Sequence, residues 1–331
     1  MLPGARVSFW LTRAWGSSRH AVSLALLPLG WLVHLLTALK RFAYSQGLRR
    51  SFHAGVPTII VGNIVAGGGG KSPLVLELAR RIGARGLRPA IIARGYGGDS
   101  VATPREVRYD SPVSAVGDEA VMLARAVSVP VVVCSDRVAG AHYAVKLGAD
   151  VLISDDGLQH YRLARDAEIV VVDGQYGFGN RRCLPAGPLR EPMSRLGFVD
   201  LLLSKNPVRG EPGYALEPTA LRRLDGSASK VPDALSREAS IAIAGIGQPE
   251  SFFSTLDRLG YSVECYAFPD HYSFGAEDFA GLAERTVITT AKDAVRIEPQ
   301  WCPNLWYLET EARLNQAARG QVEALLDNVL P

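Results

Sequence analysis

Residues 58–72 read TIIVGNIVAGGGGKS, and the last two side chains, Lys71 and Ser72, are of the types that meet phosphate and a divalent cation. A β-branched run precedes the glycines and the helix-like PLVLELARRI follows them. The flanks therefore predict a strand, a tight loop and a helix rather than a linker. In such a loop backbone N–H groups wrap the β- and γ-phosphates, the lysine neutralises them, and the next hydroxyl holds Mg²⁺. Gly67, Gly68, Gly69 and Gly70 would let the backbone approach the phosphates, which a side chain would obstruct. The pattern G-x-x-x-x-G-K-S asks for glycine at position 65, where the chain has Val65, so the match to a P-loop is partial.

A phosphate loop needs a metal carboxylate at a strand end. VLISDDGLQH supplies Asp155 and Asp156, and EIVVVDG supplies Asp173 as the alternative. The pair is the stronger choice, because adjacent carboxylates after an apolar strand suit neither core nor turn without a cation, although an Asp-Asp-Gly turn competes. A GTPase would carry N-K-x-D after a strand, and the nearest text, LLLSKNP, has Pro207 where the acid belongs. The partitioning type of membrane ATPase carries an early loop lysine, and Ala66 stands there. Other residues are open to two readings on their own. Asp118 of VGDEA could cap the helix DEAVMLARAV. His271 of FPDHYSF could be a surface histidine, and Arg190 could simply pair with Glu191. Arg94 and Tyr96 of ARGYGG fall in a loop after a strand, where ligands bind sheets of this type, or in a mere turn.

The elements that would position these residues are legible as short apolar runs: PTIIV, PAIIA, VPVVVC, DVLIS, EIVVV, DLLLS, SIAIAG and TVITT. Runs buried on both faces and separated by helix-length stretches predict an α/β, doubly wound, mainly parallel sheet of the P-loop NTPase type. The Pro-, Gly- and charge-rich stretch 207–237 marks the expected boundary between a larger core that holds the glycine loop, residues 51–220, and a smaller α/β domain, residues 221–331. Residues 1–50 form a third unit with Arg and Lys but no Asp or Glu, and 21–39 carry no full charge. That segment looks membrane-directed. Ser23, Gly30, His34, Thr37 and Arg41 make one narrow polar stripe at helical spacing, which suits a helix lying in the interface or packed on its own domain with its apolar side in lipid. A spanning helix and a buried core helix are the alternatives, while a secretory signal is disfavoured by the long leading stretch and the lack of a cleavage pattern.

Net charge of +3 and the absence of a basic run with interleaved aromatics exclude nucleic acid as an expected partner, and nothing suggests an obligatory protein partner. The four cysteines are far apart, without metal-ligand spacing, which fits a reducing compartment.

VGNIVAGGGGKSP, ARGYGG, VGDEA, SDDGLQH, LPAGPLREP, FPDHYSF and TTAKDAV occur in an order that resembles the tetraacyldisaccharide 4'-kinases of lipid A biosynthesis. The resemblance covers nearly the whole chain. It implies transfer of the γ-phosphate of ATP, with Mg²⁺, to the 4'-hydroxyl of an acylated glucosamine disaccharide 1-phosphate at the cytoplasmic face of the bacterial inner membrane. It also implies Asp118 as the base for the sugar hydroxyl with His271 as its partner, an arrangement expected for a weak nucleophile. By the same resemblance Lys71 and Ser72 serve the phosphates and metal, Asp155 or Asp156 serves the metal with Asp156 the choice for the direct or water-bridged contact, and Arg190 stabilises transferring charge with Glu191 on the metal side. Arg94 and Tyr96 would meet the disaccharide or its 1-phosphate. The chain departs from the family pattern at Ala66, Gly69, Ser72 and Ala291. Lys292 and Asp293 are expected to be structural or to act behind the site. A membrane-attached ATPase switch and a kinase for a soluble sugar are the competing classes.

Overall fold

The computed structural model describes residues 15–17, 19–67, 70–98, 102–232, 240–282 and 284–331. The strands are β1 Thr58–Gly62, β2 Pro89–Ala93, β3 Arg105–Val107, β4 Val131–Val133, β5 Val151–Asp155, β6 Ala167–Asp173, β7 Leu201–Lys205, β8 Gly213–Arg223, β9 Ser229–Lys230, β10 Ser240–Ala244, β11 Val263–Ala267, β12 Val287–Thr290 and β13 Leu305–Leu314. Helices used below are α1 Ala21–Ala25, α2 Leu27–Ser45, α3 Lys71–Ala84, α4 Val113–Val116, α5 Asp118–Ala126, α6 Arg137–Lys146, α7 Pro249–Arg258, α8 Ala291–Ala294 and α9 Gln316–Val329.

One sheet runs through the described residues in the order β11-β10-β12-β13-β8-β7-β6-β1-β5-β2-β4-β3, with β9 beside β8. Its central pairings are parallel, β1 lying between β5 and β6. These strands are buried on both faces, which is why they read as continuous apolar runs. Successive side chains serve opposite layers. Ile59 and Val61 join Leu74 and Leu78 of α3 and Val322 of α9, whereas Ile60 joins Ile92, Leu152 and Ala141 of α6. The mainly parallel α/β architecture foreseen above is present.

The antiparallel partners β8 and β13 connect a larger group, β1 to β7, parallel except for the edge strand β3, to a smaller parallel one, β10 to β12. Neither β8 nor β13 is foreseen by the apolar-run reading, and β8 lies inside the expected boundary stretch. After β13 the chain returns to the first group. Arg81 and Arg85 of α3 both pair with Glu323 of α9.

Helices α1 and α2 lie against residues 180–198. Ser23 donates to Ala186 O and accepts from Asn180 and Arg182. Gly30 is buried so closely that an added Cβ would stand 2.9 Å from Ala186 Cβ and 3.0 Å from Cys183 O. Arg41 lies over the Phe198 ring at 4.4 Å, and Tyr44 stacks on Tyr161. Ser23, Gly30 and Arg41 of the polar stripe thus face the protein, whereas Thr37 bonds back to Val33 O and His34 O and His34 is exposed. Leu29, Trp31, Leu32, Leu35, Leu36 and Leu39 lie more than half exposed on the other side. Among the described residues no helix is long and apolar enough to cross a membrane. Arg6 and Arg13 of the N-terminal segment lie outside the described residues.

Candidate active site

The strand and helix expected around Lys71 are β1 and α3, with residues 63–67 and 70 described between them. Gly67 and Gly70 have φ of 106° and 71°, a region that favours glycine. At Gly70 an added Cβ would meet Lys205 Cδ at 2.6 Å. Gly68 and Gly69 lie outside the described residues. The departure at Val65 has a structural reason. Val65 pairs antiparallel with Leu189, and the flanking bonds Arg190 N to Ile64 O (2.7 Å) and Ala66 N to Pro188 O (2.7 Å) continue that pairing. A β-branched residue suits such a stretch, and the pairing brings Arg190 to the loop.

Lys71, nearly buried at the first turn of α3, lies 3.2 Å from Asp156 Oδ1. Arg190 Nη1 donates to both oxygens of Asp156 at 3.1 and 3.0 Å. Burial alone would raise the Asp156 carboxyl, but the two cations outweigh it and hold it below the usual range. Asp156 also adopts a left-handed φ of 50°, which Asp tolerates better than most residues. Ser72 Oγ donates to Asp155 Oδ2 at 3.2 Å, so the serine is paired with Asp155 rather than Asp156. Burial pushes Asp155 up to about 6 against the pull of Lys71, with Glu119 adding to the rise. Behind it the almost fully buried Arg137 donates to Asp155 O at 3.1 Å and Cys134 O at 3.1 Å. Desolvation lowers its guanidinium to about 10 despite Asp155 and Asp156.

A divalent cation fits this group. Asp155 Oδ1 is buried without a hydrogen-bond partner, and a carboxylate pair beside a hydroxyl is the hard-oxygen set that Mg²⁺ shares with substrate phosphates. Among the described residues no cluster of three or more His, Cys, Asp and Glu could hold a metal. The alternative carboxylate, Asp173, is matched by Lys205 Nζ at 3.2 Å, with both side chains about nine-tenths buried. Glu191 accepts from Gln159 at 2.8 Å and from Tyr161, with Arg195 Nε 3.5 Å away. Its neighbour Arg190 turns the other way, to Asp156.

Asp118 is not the cap of α5. Gly117 holds that position with φ of 87°, and Asp118 is the first helical residue. The glycine is required by close approach, since a Cβ at 117 would lie 2.3 Å from Tyr96 O. ARGYGG and VGDEA are thereby packed backbone to backbone. Asp118 is 3% exposed, with Oδ1 accepting from Glu119 N at 2.8 Å and Oδ2 only 2.8 Å from His271 Nδ1. The two residues, 153 positions apart, meet because α5 packs on α8 and the turn after β11 carries His271 across. His271 takes a left-handed φ of 59° there, and its N donates to Gly245 O at 3.2 Å. Arg296 fixes the same turn by donating to Tyr272 O (2.8 Å) and Gly245 O (3.0 Å), with Nε 3.6 Å from Asp118 Oδ2. The Tyr96 ring sits 5.4 Å from the imidazole. Arg94, exposed at the end of β2, is close enough to influence Arg137 and His160.

All these groups lie at the carboxyl ends of the strands, where open parallel sheets bind ligands. Asp118–His271 and Asp155–Asp156–Lys71 are neighbouring clusters, as the effect of Glu119 on Asp155 reveals. Sequence reasoning missed Arg137, Arg296 and Lys205, whose signal is only a basic residue a few positions from a motif, while Lys292, expected to be structural or to act behind the site, lies 3.2 Å from His271 Nε2.

The family described as tetraacyldisaccharide-1-P 4'-kinase, LpxK, matches residues 22–330. A tetraacyldisaccharide 4'-kinase from Alkalilimnicola ehrlichii is 44% identical over 321 residues, spanning 96% of each chain. One from Nitrosococcus oceani is 42% identical over 318 residues, spanning 96% of this chain and 94% of the relative. The fold is similar to a crystal structure of the "apo" form of LpxK from Aquifex aeolicus in complex with ATP, with a TM-score of 0.80 and 28% identity over 94% of this chain and 100% of that one. The chain belongs to the tetraacyldisaccharide-1-P 4'-kinase family.

Proposed function

We propose that the protein transfers the γ-phosphate of ATP to the 4'-hydroxyl of a tetraacyldisaccharide 1-phosphate, the lipid A kinase reaction, with Asp118 as general base oriented by His271. The observation that carries the chemistry is the buried Asp118 carboxylate held 2.8 Å from the imidazole, on a helix that packs against α3. A sugar hydroxyl is a poor nucleophile at neutral pH, and an oriented carboxylate takes its proton as the O–P bond forms, typically contributing about 10²- to 10⁴-fold. In this reading the stretch from Gly67 to Ser72 forms the phosphate cradle of a P-loop. Lys71 and Arg190, which converge on Asp156, face the phosphate oxygens and counter the charge that builds during transfer. Asp155 and Ser72, with Asp156, would hold Mg²⁺, whose contribution is to neutralise the β- and γ-phosphates. Arg94 and Tyr96 border the acceptor side. Glu191 braces the segment that presents Arg190.

The exposed apolar face of α2 supports membrane attachment. An acceptor with four acyl chains leaves the bilayer at a cost of about 0.8 kcal/mol for each CH₂, so the enzyme must come to the surface. Helix α2 would lie in the interface of the bacterial inner membrane, cytoplasmic side, with Arg49 and Arg50 toward anionic headgroups. Incubation with γ-labelled ATP and tetraacyldisaccharide 1-phosphate in detergent micelles tests the reaction. A labelled lipid that requires Mg²⁺ is expected, and label released only as free phosphate whether or not lipid is present would favour an ATPase switch.

A further inference from the structure

The contact between Asp118 and His271 leaves open which ring nitrogen carries the proton, and Lys292 decides it. Its Nζ lies 3.2 Å from His271 Nε2, while Nδ1 faces Asp118 Oδ2 at 2.8 Å. An ammonium has donors only. The nitrogen facing it must therefore present its lone pair, and the one ring proton of a neutral imidazole must sit on Nδ1, where it is donated to Asp118.

We propose that Lys292 is a positioning residue for the phosphate transfer described above, holding His271 in the neutral Nδ1–H tautomer that orients Asp118. The inference rests on that reading of the reaction. Lys292 is itself aimed by carboxylates from two other elements, Asp270 Oδ1 at 3.3 Å after β11 and Glu119 Oε1 at 3.5 Å on α5. Its own element, α8, starts at the carboxyl end of β12. Its side chain is 18% exposed. The competitor for the ring proton is also present: Asp270 Oδ1 lies 3.9 Å from Nε2 and would accept an Nε2–H proton if the ammonium were absent. That tautomer would leave a bare lone pair on Nδ1 facing the Asp118 carboxylate, and the orienting bond would be lost. The Tyr96 ring lies 5.4 Å from the imidazole, and Arg296 Nε faces Asp118 Oδ2 at 3.6 Å. Lysine suits the post because a compact ammonium can serve Nε2, Asp270 and Glu119 at once.

The test combines long-range ¹H–¹⁵N spectra of histidine-labelled protein with steady-state kinetics. The intact protein should show His271 as Nδ1–H. Lys292→Met should shift it toward Nε2–H and lower kcat by about 10- to 100-fold with the KM for ATP within about twofold. Lys292→Arg, which keeps donors toward Nε2, should retain the Nδ1–H pattern and most of the rate. An Nε2–H or imidazolium pattern in the intact protein at pH 7.5 overturns the proposal, as does a folded Lys292→Met variant that keeps both tautomer and rate. The spectrum of the intact protein needs neither a lipid nor a variant. An intact protein that phosphorylates no lipid would instead overturn the reaction itself.

Discussion

At the level of single residues the two carboxylates of SDDG divide the work by their surroundings. Asp156 has two cations and stays ionised, whereas Asp155 is buried with one oxygen unpartnered and is pushed up to about 6. Raised above an ordinary value of about 4, Asp155 costs nothing while both states are protonated. Its stability contribution then falls as pH rises from about 4 to 6 and stays lost above, a span of roughly 3 kcal/mol. Asp155→Asn should therefore raise the unfolding free energy of chelator-treated protein by about 1–3 kcal/mol at pH 7.5 and leave it unchanged near pH 4. Denaturant melts at the two values check this. Saturating Mg²⁺ should narrow the difference, since it stabilises only the chain that binds it. The pair itself was legible as chemistry, because adjacent acids after VLIS have no structural excuse. The split between them was not, since Ser72 reaches Asp155 only through the relative placement of β5 and α3. His271 was legible only through resemblance, because nothing local in DHYSF says that it will meet a carboxylate on α5.

Elements were readable where burial is two-sided. β1, β2, β5 and β10 are buried along their whole length and appear as unbroken apolar runs. β8 alternates exposed and buried positions and contains Pro218, so GYALEPTALRR looked like a linker. β11 is mostly exposed at the edge of the sheet, and VECYA carries little apolar signal. The stripe on α1 and α2 was legible by helical spacing, and Gly30 now has a specific role in docking. Gly30→Leu would drive a side chain into Ala186 and Cys183, and should cost about 1–3 kcal/mol in urea melts. Because the same segment leads to Arg190, phosphate transfer should fall as well. Leu35→Ser on the opposite, exposed face should leave stability within about 0.5 kcal/mol. Equal stability losses at the two positions would contradict the docking geometry.

The whole molecule places one member of the Asp118–His271 pair in each parallel group of the sheet. Asp118 belongs to the first and His271 to the second, with β8 and β13 between them. Helix α2 packs on the first group through Gly30, Arg41 and Tyr44 and leaves its apolar face exposed. Replacing Leu35 and Leu39 by Glu should weaken sedimentation with phosphatidylglycerol vesicles by at least about tenfold, since each buried leucine contributes about 1.5–3 kcal/mol. ATP affinity should be unchanged, because no described contact links those side chains to the glycine loop. Vesicle binding that persists in this variant would remove α2 as the attachment surface.

If Asp118 and His271 act as one unit on the sugar hydroxyl, a double-mutant cycle on kcat for lipid phosphorylation will show it. Groups that act together are strongly non-additive. Asp118→Asn and His271→Ala should each reduce kcat by about 10²-fold or more, and the double variant should be little worse than Asp118→Asn alone. Losses that multiply, or an Asp118→Asn variant that turns over within about threefold of the parent, would contradict the assignment of the base.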